Sequence, residues 1–173
     1  QPKTRNRSTQ KNTKSMTPRK EVFIKMKQSL SELTVLELVD LQRKQFSQPK
    51  ENYPSYFTAA LIEIKAIDWQ TMVEQRQEGK ATVDVIFYCK DGWMDQHNDT
   101  TDPEHGLIEI DVIDAIVEKL QGLRGDTFKQ LDLAKEESVD EADEMMSYRL
   151  SFTTVIYRKI NPRFSNQKIT ITP

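Results

Sequence analysis

The run Asp91-Gly92-Trp93-Met94-Asp95-Gln96-His97-Asn98-Asp99-Thr100-Thr101-Asp102-Pro103-Glu104-His105 holds both histidines of the chain and five of its acids. Carboxylates and imidazoles are the ligands that divalent cations take, so this run is the natural place to look for a metal. A calcium-loop template started at Asp95 fails. Thr100 stands where glycine must make the sharp turn, and Gly106 stands where a bidentate Glu must close the shell. His97 and His105 lie eight apart on a loop, with no helical spacing to converge them on one ion. The favoured reading is a solvated loop that meets a partner through Trp93 and Met94. A small enzyme or metal-binding protein using the 91–105 loop is the competing one.

Other catalytic chemistry has less to stand on. Only five glycines are present, and they form no nucleophile elbow, phosphate-cradling loop or dinucleotide fingerprint. Cys89, the single cysteine, falls on the apolar face of an alternating strand, where burial keeps a thiol protonated and inert. It also rules out an internal disulfide or a multi-cysteine metal site. Acid pairs such as Asp84 with Asp91 cannot be placed in space from sequence. No cofactor is expected. The first 20 residues carry seven Lys and Arg and no acid, among them Arg5, Arg7 and Lys11. Such an arm attracts phosphates in a salt-dependent way, but it lacks interleaved aromatics for gripping bases. It reads as a solvated partner-contacting arm, with no sequence-specific nucleic-acid recognition. Trp69, after an apolar run, and Tyr53, in a polar connection, are further candidate partner contacts.

The elements that must position these residues follow from periodicity. Residues 1–16, with only Met16 apolar, read as a disordered basic arm. Thr17 caps and Pro18 starts a helix over about 18–32, with Val22, Phe23, Met26, Leu30 and Leu33 at helical spacing. Leu36–Leu41 is a short strand, and the polar Gln42–Pro54 stretch a mobile, functional loop. Ala60–Ile67 is a second strand. Asp68–Gly79 is a long connection, and Thr82–Lys90 is the clearest strand, with Val83, Val85, Phe87 and Cys89 on one face. A helix over about 107–121 carries the stripe Leu107, Ile110, Ile113, Ile116, Val117 and Leu120, with Gly122 and Gly125 at its end. Thr127–Ala134 is a weaker strand, the acids up to Glu144 form a loop, and Ser147–Ile160 is the last strand. The tail, 161–173, ends in Ile169-Thr170-Ile171-Thr172, an alternating fragment able to pair with another chain's sheet edge.

The order is α-β-β-β-α-β-β. It predicts an α+β fold in which an antiparallel sheet of about five strands carries two helices on one face, as a single domain over 17–160. Composition agrees with one modest core: 36 % hydrophobic and 30 % charged residues in a chain of 173. The net charge of −2 gives no general attraction for nucleic acid or membrane. No apolar run approaches the ~20 residues that span a bilayer. A core this lean favours gaining stability by association, and a role in joining proteins over one in catalysis.

The order of elements resembles that of the tail-terminator (tail-completion or neck) proteins of long-tailed bacteriophages, over about residues 18–160. It rests on the initial helix, Tyr53-Pro54 closing a Pro-rich connection, Leu61-Ile62-Glu63-Ile64 and Trp69. It continues through Thr82–Phe87, the helix Ile110–Ile116, and Tyr148-Arg149-Leu150. The resemblance implies a structural virion protein without catalytic residues or cofactor. It would be a homo-oligomeric ring, usually a hexamer, that caps the tail tube, joins it to the head–tail connector and is assembled in the host cytoplasm. Another neck or head-completion adaptor is the alternative within the same class. The long 91–106 loop, the basic arm and the tail past Asn161 depart from the pattern and leave the docking partner and ring size open.

Overall fold

The computed structural model describes residues 16–47, 58–73, 75–90, 97–98, 101–140, 142 and 145–161. Its elements are α1 (Pro18–Leu30), β1 (Leu38–Leu41), β2 (Thr58–Val73), β3 (Arg76–Lys90), α2 (Ile108–Leu120), β4 (Asp132–Val139) and β5 (Met145–Lys159), with a 3-10 turn at Gln45–Ser47. The expected α+β order is therefore realised. The five strands form one sheet in the order β1-β2-β3-β5-β4. Every pairing is antiparallel except the edge pair β1–β2, which is parallel. A parallel pair needs a crossover of a dozen or more residues, and the long 42–57 connection supplies one. Strand composition alone carries no sign of that direction.

Both helices form where capping and periodicity agree. The Thr17 hydroxyl accepts the Lys20 N–H at 3.4 Å, and Val22, Met26 and Leu30 follow at four-residue spacing as the buried stripe of α1. The N–H and hydroxyl of Ser31 both donate to the Lys27 carbonyl, closing the helix two residues earlier than its periodicity suggests. In α2 the buried stripe is Val112, Ile116 and Leu120, with Ile113 and Val117 beside it. Ile110, expected in the stripe, is 54 % exposed. Gly122, at φ +78°, turns the chain out of α2 in the left-handed region that only glycine enters freely.

Both helices pack on one face of the sheet. There they cover Ala60 and Ile62 of β2, Val83, Val85, Phe87 and Cys89 of β3, and Leu150, Phe152 and Ile156 of β5. Among the described residues the opposite face carries a second, smaller apolar cluster at one end. Phe46 from the 3-10 turn packs on Tyr88 there, centroids 4.7 Å apart, over Ala59, Leu61, Ile86 and Met145. Gln42 Nε2 donates to the Tyr88 hydroxyl at 2.9 Å, which satisfies a buried phenol.

Two sequence expectations are corrected. Asp68–Gly79 is not a connection: the ladder continues through it, pairing Asp68 with Lys80 and Trp69 with Gly79, so that β2 and β3 run 16 and 15 residues. Polar residues alternate with Ile67 and Trp69 because one face of this arm is solvated. The turn at Gln75 takes φ +64° without a glycine to announce it. The weak strand expected at Thr127–Ala134 is displaced to Asp132–Val139, within the acidic stretch expected to be a loop. An edge strand tolerates such charge, which also blunts its outer edge. Residues 127–131 keep a partial ladder with β5 through the Phe128–Ile156 bridge and Lys129 N–H donating to the Val155 carbonyl at 2.8 Å.

Candidate functional site

Of the partner-contact residues singled out by sequence, Trp69 is described. Trp93, Met94, Tyr53, Arg5, Arg7 and Lys11 lie outside the described residues, as do the tail past Asn161, the arm through Ser15 and the 48–57 part of the polar connection. Trp69 does not follow β2 but sits well inside it, half-buried on the helix-bearing face. The Arg158 guanidinium lies 3.9 Å over its ring and Arg19 lies 5.9 Å from the same centroid. A stacked guanidinium keeps its charge in water while adding attraction to the ring face. Trp69 thus ties α1, β2 and the end of β5 together at the root of the hairpin arm.

Its partner position is a residue that periodicity did not single out. A Cβ on Gly79 would come within 2.8 Å of Trp69 Cε3 and of Ile67 Cγ2. An isolated glycine inside a strand is the signal for such a close approach. Gly79→Ala is expected to lose about 1–3 kcal/mol through overpacking. In a Trp93→Phe background it should also shift Trp69 emission toward longer wavelength. An unchanged melting temperature and spectrum would show that the arm has room to spare.

The histidines meet through one ring and one backbone carbonyl. His97 Nδ1 lies 2.8 Å from the His105 backbone carbonyl, on an exposed loop. Among the described residues no group of three or more His, Cys, Asp or Glu is placed to hold a metal. Cys89 is buried against the core, so its thiol is shielded from reagents.

The helix-free face carries the other notable electrostatics. Asp84 is fully buried, and the Ser151 hydroxyl donates to its Oδ1 at 2.7 Å. Lys65 Nζ and Arg149 Nε lie 3.2 and 3.4 Å from its Oδ2. Arg149 also approaches Glu137 at 3.4 Å, and Lys135 holds Glu137 at 2.6 Å. One row of alternating charge thereby crosses β2, β3, β5 and β4. Beside it runs an open groove of about 710 Å³ lined by Asp68, Glu78, Lys80, Arg124, Lys129 and Asp132, of both signs. The charges of the row pair with one another, and none of them is set as a nucleophile against a base.

Among the described residues, Met16 and Val35 aside, the large exposed apolar side chains fall in two places. Met72 and Val73, 58 % and 60 % exposed, stand at the tip of the β2–β3 hairpin near Ile160. Ile108 and Ile110, 50 % and 54 % exposed, open α2 near Met146 and Tyr148. From Met146 to Lys159 along β5, these ends are separated by about 40 Å at ~3.3 Å per residue. No helix of the described residues is long and apolar enough to cross a membrane.

No family model matches the chain, and no curated protein matches it. Among solved structures it is similar to a chain of the "Virion of native gene transfer agent (GTA) particle". The two share 11 % identity at a TM-score of 0.51, over 83 % of this chain and 99 % of the other. At that identity the likeness concerns the fold alone.

Proposed function

We propose that this chain is a structural protein of a phage-like particle, a ring-forming tail terminator that caps the tail tube and joins it to the head–tail connector. The reading is carried by the fold likeness to a chain of the gene transfer agent virion, which this chain covers over 99 % of its length. It is supported by the two apolar patches at opposite ends of the long strands, since a protein stacked between two others needs contacts at both ends. The sheet's two different rims, a short parallel β1 and an acidic β4, suit heterologous side-by-side contacts, which form a ring where the rotation between neighbours closes. A homohexamer in the virion neck, assembled in the host cytoplasm, is the form this role takes, and it requires neither cofactor nor catalytic residue. Trp93, Met94 and Tyr53, with the basic Arg5, Arg7 and Lys11, are the side chains proposed to meet the tube or connector.

Sedimentation and negative-stain imaging of the purified chain, alone and mixed with tail tubes, test this. A discrete ring-sized species that seats on tube ends is expected. A strict monomer at high concentration that ignores tubes but binds a head connector would favour the head-completion adaptor. A monomer that binds neither would end the virion reading.

A further inference from the structure

The two exposed apolar ends differ in charge. At the hairpin tip, Met72 and Val73 edge a groove of about 480 Å³, with Arg76, Arg158 and Lys159 around it and Asp126 beside them. Arg76 and Lys159 are cross-strand partners in the β3–β5 ladder, and both are exposed. Like charges directly opposite in a ladder destabilise it. The tip therefore bears a local cost that an acidic surface laid against it relieves.

At the other end, the first turns of α2 lie beside β5 and the β4 rim and border a groove of about 300 Å³. Ile110, Met146 and Tyr148 give it an apolar lining, and Glu109, Asp114 and Glu136 give it negative charge. Asp114 and Glu136 come from helix and edge strand, yet they line one groove, so a cation entering it is attracted by both.

An apolar centre with a charged rim is the pattern of a contact between proteins, and complementary charge decides which surface fits it. The tip complements the groove: exposed aliphatic side chains flanked by cations meet an apolar floor flanked by acids. At about 40 Å apart along the strands, the two cannot meet within one chain. Both are nonetheless present on every copy, so a second copy is the partner that the charges select.

We propose that the hairpin tip of one copy seats in the α2–β5 groove of the next. Met72 and Val73 then lie against Ile110, Met146 and Tyr148, and Arg76 and Lys159 against Asp114 and Glu136. Tip and groove are different patches, so the contact is heterologous, and each copy gives one and receives one. This pairing rests on the ring reading and names the surfaces that join the copies.

Charge reversal tests it in the full chain. One variant carries Arg76→Glu with Lys159→Glu, the other Asp114→Lys with Glu136→Lys. All four positions are exposed, so melting temperatures should stay close to wild type. In sedimentation velocity, each variant alone should self-associate more than about tenfold more weakly, since like charges then face each other. An equimolar mixture should regain wild-type association, because each variant's tip then meets an oppositely charged groove. Met72→Ser with Val73→Ser gives a reading independent of charge, and association should weaken several-fold. A mixture no stronger than its separate components, or a serine variant that associates as wild type does, would overturn the pairing of these two surfaces. Reversed variants that assemble as well as wild type would overturn it too, and a ring that still formed would leave the ring reading standing on other surfaces. A wild-type chain that stays monomeric at high concentration would overturn the pairing and the ring together.

Discussion

Asp84→Ala is expected to destabilise the protein by about 3 kcal/mol, the cost of breaking a buried ion pair from one side. At ~2–4 °C per kcal/mol for a chain of this size, its melting temperature should fall by about 6–12 °C. The carboxylate is fully buried, accepts from the Ser151 hydroxyl and faces Lys65 and Arg149. Removing it leaves the Arg149 guanidinium, with 19 % of its side chain exposed, beside a cavity and balanced by Glu137 at 3.4 Å in place of the buried carboxylate. The pair itself need not be a net gain, because desolvating both ions opposes their attraction. Asp84→Leu with Arg149→Met should therefore recover most of the loss. Added salt should change the wild-type value little, since a buried pair is poorly screened. Urea titrations at low and high salt measure all of these. An Asp84→Ala cost below about 1 kcal/mol would mean that water reaches the site and replaces the carboxylate.

Asp84 has a second consequence, for register. β3 from Ala81 to Cys89 is buried on both faces, apart from half-buried Thr82. Hydrophobicity therefore does little to choose between the native alignment and one slipped by a residue. A slip would carry Asp84 to the helix-covered face, away from Lys65, Arg149 and Ser151. One buried charge thus distinguishes alignments that the apolar residues leave nearly equivalent.

That double burial also explains which parts of the fold can be read from sequence. The alternation of Val83, Val85, Phe87 and Cys89 marks β3 because Asp84 interrupts an otherwise continuous apolar run. The Val22-Met26-Leu30 stripe marks α1 because Thr17 and Pro18 announce its start and its four-residue spacing is set off by Arg19, Lys20, Lys25, Lys27 and Gln28 on other faces. The arm beyond Ile67 is obscured by its solvated face. There Asp68, Gln70, Glu78 and Lys80 look like a loop unless Trp69 and Gly79 are recognised as partners across a ladder. β4 is harder still, since an edge strand held by Lys135, Glu137 and Arg149 has the composition of an acidic linker. In α2, Ile108 and Ile110 share the helix with the core stripe, so periodicity gives the helix but rotates its apolar face. Trp69 is conspicuous by type, but its stacking with Arg158 depends on a register that no local pattern reports. Asp84 is visible only as one acid among many, because its partners come from β2 and β5, distant in sequence.

The other large effect is expected at Glu21, in the first turn of α1. Its side chain is 6 % exposed, and its Oε1 accepts the Asp126 N–H at 2.7 Å. Its Oε2 accepts the Thr127 N–H at 2.9 Å and also the Thr127 hydroxyl. One carboxylate therefore fastens the loop after α2 to the helix that starts the fold. Glu21→Ala should cost about 3 kcal/mol, since hydrogen bonds to a charged acceptor are worth about 1.5–3 kcal/mol each and do not simply add. Glu21→Gln, which keeps one acceptor, should cost roughly half as much. Burial opposes ionisation of Glu21, but the Thr127 hydroxyl, the N–H groups of Asp126 and Thr127, and the charge of Lys25 outweigh it and hold its pKa below the ordinary 4.5. A carboxylate with a depressed folded-state pKa contributes its full stability above the unfolded value and loses it as pH falls through the folded one. The difference in unfolding free energy between wild type and Glu21→Gln should therefore be constant at neutral pH and shrink below about pH 4.5. Urea titrations of both proteins between neutral and acid pH measure this, with Thr127→Val completing a double-mutant cycle. A difference that stays constant down to acid pH, or a cycle without coupling, would mean that the carboxylate is solvated and the loop is held by Phe128 instead.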